Sequence, residues 1–170
     1  MRSIVLLTGA LFSGALCAQT DAPQGKVTSA DAVALIHSLE RAPLARGARA
    51  IRSNLIDWAQ ETKDVTITVC DVLGPIPGSD VAYGPELLVQ AMLGNGAFQL
   101  QHPESKGDEV KVQLAGIASM LRAYAKILEL DASARIPQFD AWLTDLSDGK
   151  LEEQLAPAIQ EKCINPPAKA

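Results

Sequence analysis

Apolar residues in this chain recur with the period of a helix, over runs too long to serve any other regular structure. Val110, Leu114, Ile117, Leu121, Tyr124 and Leu128 step by four, three, four, three, four. Leu44, Ala48, Ile51, Leu55, Trp58 and Thr62 keep the same rhythm. Such a stripe covers one side of a helix, which must then pack against another element. Ala115, Ala118, Ala123 and Ala125 flank the first stripe, so neighbours can approach it closely. The repeat is too short for a free coiled coil, so the 108–130 helix is expected at the centre of a bundle.

The remaining elements follow from shorter patterns. Thr28 or Ser29 can cap a first helix running to Arg41, with Ala32, Leu35, Ile36 and Leu39 inward and Asp31 in its first turn. The 44–62 stripe predicts the second helix. Pro85 suits the first turn of a helix over 85–100, with Leu87, Ala91, Gly94 and Phe98 inward. Gly94-Asn95-Gly96 weakens that helix unless another packs closely there, and close packing is the reading adopted. Pro137 opens a shorter helix through Leu146. Asp148 is expected to cap the last, where Leu151, Leu155, Ile159 and Cys163 step by four. Pro157 should kink or split it.

One apolar segment is ambiguous. In 64–73, Val65, Ile67 and Val69 alternate with threonine as in a strand, yet Val69, Val72, Leu73 and Ile76 continue at helical spacing. No second strand-like run offers a partner, which favours helix or an extended buried segment. The fold class is therefore all-α: one compact domain of five to seven helices over 19–164, with 64–73 unassigned and a disordered tail at 165–170.

The N-terminus addresses the compartment. Arg2 precedes an apolar, uncharged run over 4–16, and small residues follow at Ala15, Cys17 and Ala18. That is the layout of a cleaved secretory signal over 1–18. Cleavage after Ala18 leaves 152 of the 170 residues, and losing Arg2 takes the formal charge from −5 to −6. Lipid anchoring through Cys17 ranks second, because Leu16 is large for lipoprotein processing. No segment is long and apolar enough to span a membrane. The expected location is periplasmic or secreted. There Cys70 and Cys163 are the remaining pair, and a disulfide is predicted.

Motifs for catalysis are sparse. No Gly-x-Ser-x-Gly, phosphate-cradling glycine loop or dinucleotide fingerprint occurs. Two cysteines and the separated His37 and His102 make no metal set. No catalytic residue, metal or cofactor is assigned. The acidic balance gives no attraction to nucleic acid.

What stands out is a cationic strip: Arg46, Arg49 and Arg52, three residues apart, with Arg41 upstream. None of the three has an acidic residue three or four places away. They sit where the helix dipole disfavours positive charge. Their partners are solvent, another part of the fold (the acidic stretch Asp140 to Glu153 being the internal choice) or another molecule. Tyr83, in the Pro/Gly-rich 74–85 loop, and His102, in the 101–107 loop, complete the candidate contact surface. The leading expectation is a non-enzymatic exported protein that binds another protein. A carrier of an apolar or amphiphilic small molecule is the runner-up, and a small hydrolase the third.

Overall fold

The computed structural model describes residues 26–166 except 77 and 79. The signal expected over 1–18 lies outside this range, as does most of the 165–170 tail. Among the described residues six α-helices form a compact all-helical arrangement: α1 (Ser29–Arg41), α2 (Ala48–Glu61), α3 (Gly84–Gln101), α4 (Glu109–Leu130), α5 (Pro137–Ser147) and α6 (Leu151–Ile159). Short 3₁₀ turns at Pro103–Ser105 and Ala132–Ala134 flank α4. No described helix is long and apolar enough to cross a membrane.

Local chemistry explains most boundaries. The Thr28 side chain accepts the Asp31 amide while the Asp31 carboxylate accepts the Thr28 amide, a reciprocal cap that starts α1. Asp108 caps α4 by accepting the Lys111 amide. Proline opens α5 at its first position. Pro157 lies inside α6, which passes into a single π-turn at Gln160–Ile164.

Two boundaries differ from expectation. The α2 helix begins at Ala48, not at 44. Leu44 belongs to the preceding turn and packs on a different core cluster from the α2 residues, so its place in the stripe is coincidental. Asp148 does not cap α6. It closes α5, and Lys150 precedes α6 with no side-chain cap.

The core has two clusters that share α3. One joins Leu87 and Ala91 to α4, α5 and α6. The other joins Leu93 and Ala97 to α1 and α2. Helix α3 is thus buried on nearly every side, and it shares the central position expected for α4. Polar Gln90, Asn95 and Gln99 are buried with it. The glycines explain how close its neighbour comes. A Cβ on Gly116 of α4 would fall 2.5 Å from the Ala91 carbonyl oxygen, and one on Gly94 would strike Ser119. Close packing, not a hinge, is what these positions serve.

The ambiguous segment takes neither of its regular forms. Residues 65–70 carry neither helix nor strand ladder, and Val72 to Ile76 form turns. Val65 is buried and Ile67 half-buried, while Thr66 and Thr68 face solvent, the alternation of extended chain. Val69 is 57 % exposed, so the segment is not buried along its length. Two glutamines replace the missing strand. Gln99 accepts the Thr66 amide at 3.1 Å and donates to the Thr66 carbonyl at 2.8 Å. Gln113 donates to the Thr68 carbonyl at 2.9 Å. The segment ends at Cys70, bonded to Cys163 across 93 residues with Cα atoms 5.4 Å apart. The predicted disulfide is present, and it ties the end of α6 to the chain ahead of α3.

Candidate functional site

The arginine strip straddles the start of α2. Arg46 lies in the turn before the helix, and Arg49 and Arg52 lie within it. Gly47 occupies the capping position without a side-chain bond, and the first turn has no acid. The free amides of that turn and the arginines therefore add their positive charge at one end. Arg46 and Arg49 are exposed. Among the described residues no ion pair reaches Arg41, Arg46 or Arg49, and none joins the strip to the acidic stretch near the C-terminus. Asp140 instead holds Arg135 at 2.7 Å, and Asp148 holds Lys150 at 3.2 Å.

Arg52 behaves differently from its two companions. Its Nη2 donates to the Pro43 carbonyl, fastening the turn between α1 and α2. Its Nε is buried without a hydrogen-bond partner. Burial lowers its pKa, and the nearby Glu86 carboxylate partly opposes that; the guanidinium stays charged at neutral pH. Arg52 is thus a structural member of the strip.

Tyr83 stands at the entrance of α3 with φ +57°, a left-handed conformation that bulky residues rarely adopt. Its hydroxyl donates to Asp131 Oδ2 at 3.0 Å, linking the loop to the end of α4. That hydrogen bond, burial, and the charges of Asp131 and Glu86 raise the phenol pKa. Glu86 acts on both Arg52 and Tyr83, so the starts of α2 and α3 share one electrostatic neighbourhood.

His102 does not join them. It ends α3, nineteen residues from Tyr83, about 28 Å along the helix axis. Its ring lies on Phe98 with centroids 4.6 Å apart, and its Nδ1 is 3.3 Å from Glu104. The predicted contact set therefore falls into two separated places.

A polar cluster that the sequence did not announce lies where α1, α3 and α4 meet. Glu40 is buried. Arg122 grips its carboxylate with Nε at 3.0 Å and Nη2 at 2.8 Å. The Ser119 hydroxyl donates to it at 2.6 Å, His37 Nδ1 lies 3.1 Å away, and Gln90 donates to Ser119 at 2.8 Å. Burial alone would raise the Glu40 pKa. The hydrogen bonds from Arg122, Ser119 and His37, with the Arg122 charge, outweigh it and bring the pKa below the usual carboxylate value. The group resembles a relay, but Ser119 is 1 % exposed and so out of a substrate's reach. Its chemistry is to lock three helices. Only the pairing of Glu40 with an arginine 82 residues away would have signalled it, and spacing along one helix cannot reveal that.

The hollows of the surface are open. One of about 350 Å³ is lined by Phe98, Leu114, Ala118, Leu146 and Leu151. Another of about 410 Å³ lies beside Trp58. The crevice between Thr68, Ala91 and Ile117 holds about 10 Å³, less than a ligand needs. Among the described residues no group of three or more His, Cys, Asp or Glu is placed to hold a metal ion. The chain matches no family model, no curated protein and no solved structure.

Proposed function

We propose that this chain is an exported, non-enzymatic helical domain that binds an acidic protein surface through Arg46 and Arg49. One observation supports the reading: two exposed arginines crowd the positive end of α2, and among the described residues no ion pair reaches either of them. Their position costs stability instead of adding to it, about 0.3–1 kcal/mol per charge. A partner's carboxylates would use their forked donors and the free amides of the helix start together. Arg52 and Tyr83 hold the platform, and His102 lies too far away to belong to it. Export accords with the disulfide and with the leader-like N-terminus.

The test is recovery of bound proteins from the exported fraction of the producing cell, with native chain and with R46E/R49E side by side. The expected result is an acidic partner whose capture weakens steeply with salt and is lost in the variant. Capture that is indifferent to both salt and charge reversal would refute the reading.

A further inference from the structure

We infer that the open edge of the extended segment 65–69 pairs two copies of this chain, antiparallel and centred on Ile67. The inference is independent of the arginine reading, since it involves neither Arg46 nor Arg49.

An extended backbone turns the N–H and C=O of successive residues to opposite edges. Thr66 spends both groups on Gln99, and Thr68 gives its carbonyl to Gln113. Val65, Ile67 and Val69 therefore turn theirs the other way. Among the described residues no hydrogen bond reaches these backbone groups. The Val65 and Ile67 side chains seat the segment over Gly96 of α3, which keeps that edge from rolling inward. Thr66, Thr68 and Val69 are exposed and Ile67 is half-buried, so all of the segment but Val65 lies at the surface. A row of free donors and acceptors at this spacing fits another extended backbone.

The occupant follows from the order of residues. Val65-Thr66-Ile67-Thr68-Val69 reads the same in both directions. Antiparallel pairing about Ile67 sets Val65 against Val69, Thr66 against Thr68 and Ile67 against itself. Such β-branched cross-strand pairs are favourable. The same register sets Lys63 against Asp71 at both ends of the ribbon. Lys63 has no ion pair within its own chain among the described residues, and Asp71 has an exposed one, with Lys162 Nζ at 3.4 Å. The register also satisfies the backbone. Residues with free groups meet residues with free groups, and about six hydrogen bonds form across the twofold axis. So short a ribbon makes a weak dimer, dissociating in the micromolar to millimolar range.

The test is sedimentation equilibrium of the oxidised exported chain from about 10 μM to 1 mM, with three variants. Val69→Pro deletes an amide that no bond within the chain uses. Lys63→Asp sets acid against acid at each end. Adding Asp71→Lys to the latter restores opposite charges in this register; it also removes the exposed Lys162 contact, but only the register couples it to Lys63→Asp. The expected result is a monomer–dimer equilibrium, weakened at least tenfold by V69P and by K63D and regained in K63D/D71K. Circular dichroism melts report folding, and if V69P misfolds the charge swap decides alone. A chain monomeric at 1 mM, or a dimer indifferent to the charge swap, overturns the inference. So does a monomer whose Val65, Ile67 and Val69 amides gain hydrogen-exchange protection only from an added extended peptide, because the edge then serves a foreign strand.

Discussion

Glu40 is where one residue matters most to the fold. Its carboxylate takes donors from α4 and from its own helix, and its pKa is lowered in consequence. A lowered folded-state pKa means stability that is present above the unfolded value, near 4.3, and lost as pH falls through the folded one. Glu40→Gln should therefore cost about 1.5–3 kcal/mol at neutral pH, the range for a charged hydrogen bond. The gap to the native chain should close as pH drops below 4. Urea titrations across pH check this, and a gap constant with pH would contradict it. The glycines give a second residue-scale contrast. Gly116→Ala must push against the Ala91 backbone and should cost about 1–3 kcal/mol, less the roughly 1 kcal/mol that alanine gains in a helix. Gly47, with φ −93° and nothing within 4 Å of where a methyl group would stand, should accept alanine with little change. Thermal melts of the two variants separate these outcomes.

At the scale of elements, the extended segment depends on borrowed amides. Gln99→Leu keeps the bulk and removes both bonds to Thr66. It should cost about 1–3 kcal/mol, because the buried Asn95 side-chain oxygen also loses the Gln99 donor, while the exposed Thr66 groups turn to water. Amide exchange should quicken at Thr66 before it does in α3. This segment also marks the limit of what the sequence makes legible. Helices are readable wherever burial is apolar, because the stripe then declares the inward face. Gln90, Asn95, Gln99, Gln113 and Ser119 are buried too, but as polar residues they resemble solvent-facing positions. Their partners lie largely on other elements, so no local pattern reveals them. The buried face of α4 also includes the apolar Val112, Met120 and Ile127, because α1, α3, α5 and α6 cover it on more than one side, so the expected stripe runs along only part of it. In the candidate site, spacing finds Arg46, Arg49 and Arg52 but treats them as equals. The Pro43 carbonyl that sets Arg52 apart follows from the turn between α1 and α2, which apolar spacing absorbs into a longer helix.

At the scale of the whole molecule, the disulfide joins the C-terminal end to the chain between α2 and α3. Cys70→Ser with Cys163→Ser should cost about 2–5 kcal/mol, with a corresponding fall in Tm. The α1–α2 side, which the crosslink does not touch, should keep its exchange protection longest. The arginines make the opposite prediction. Among the described residues no ion pair ties Arg46 or Arg49 to the fold, so on the proposed reading their removal should leave it folded and leave its partner unbound. The most direct measurement pairs a thermal melt with a binding titration of the recovered partner, for native chain and R46E/R49E. The account predicts a Tm equal to or slightly above the native value, with affinity at least tenfold weaker. A lowered Tm together with unchanged affinity would contradict it, making the strip part of the scaffold and not the docking surface.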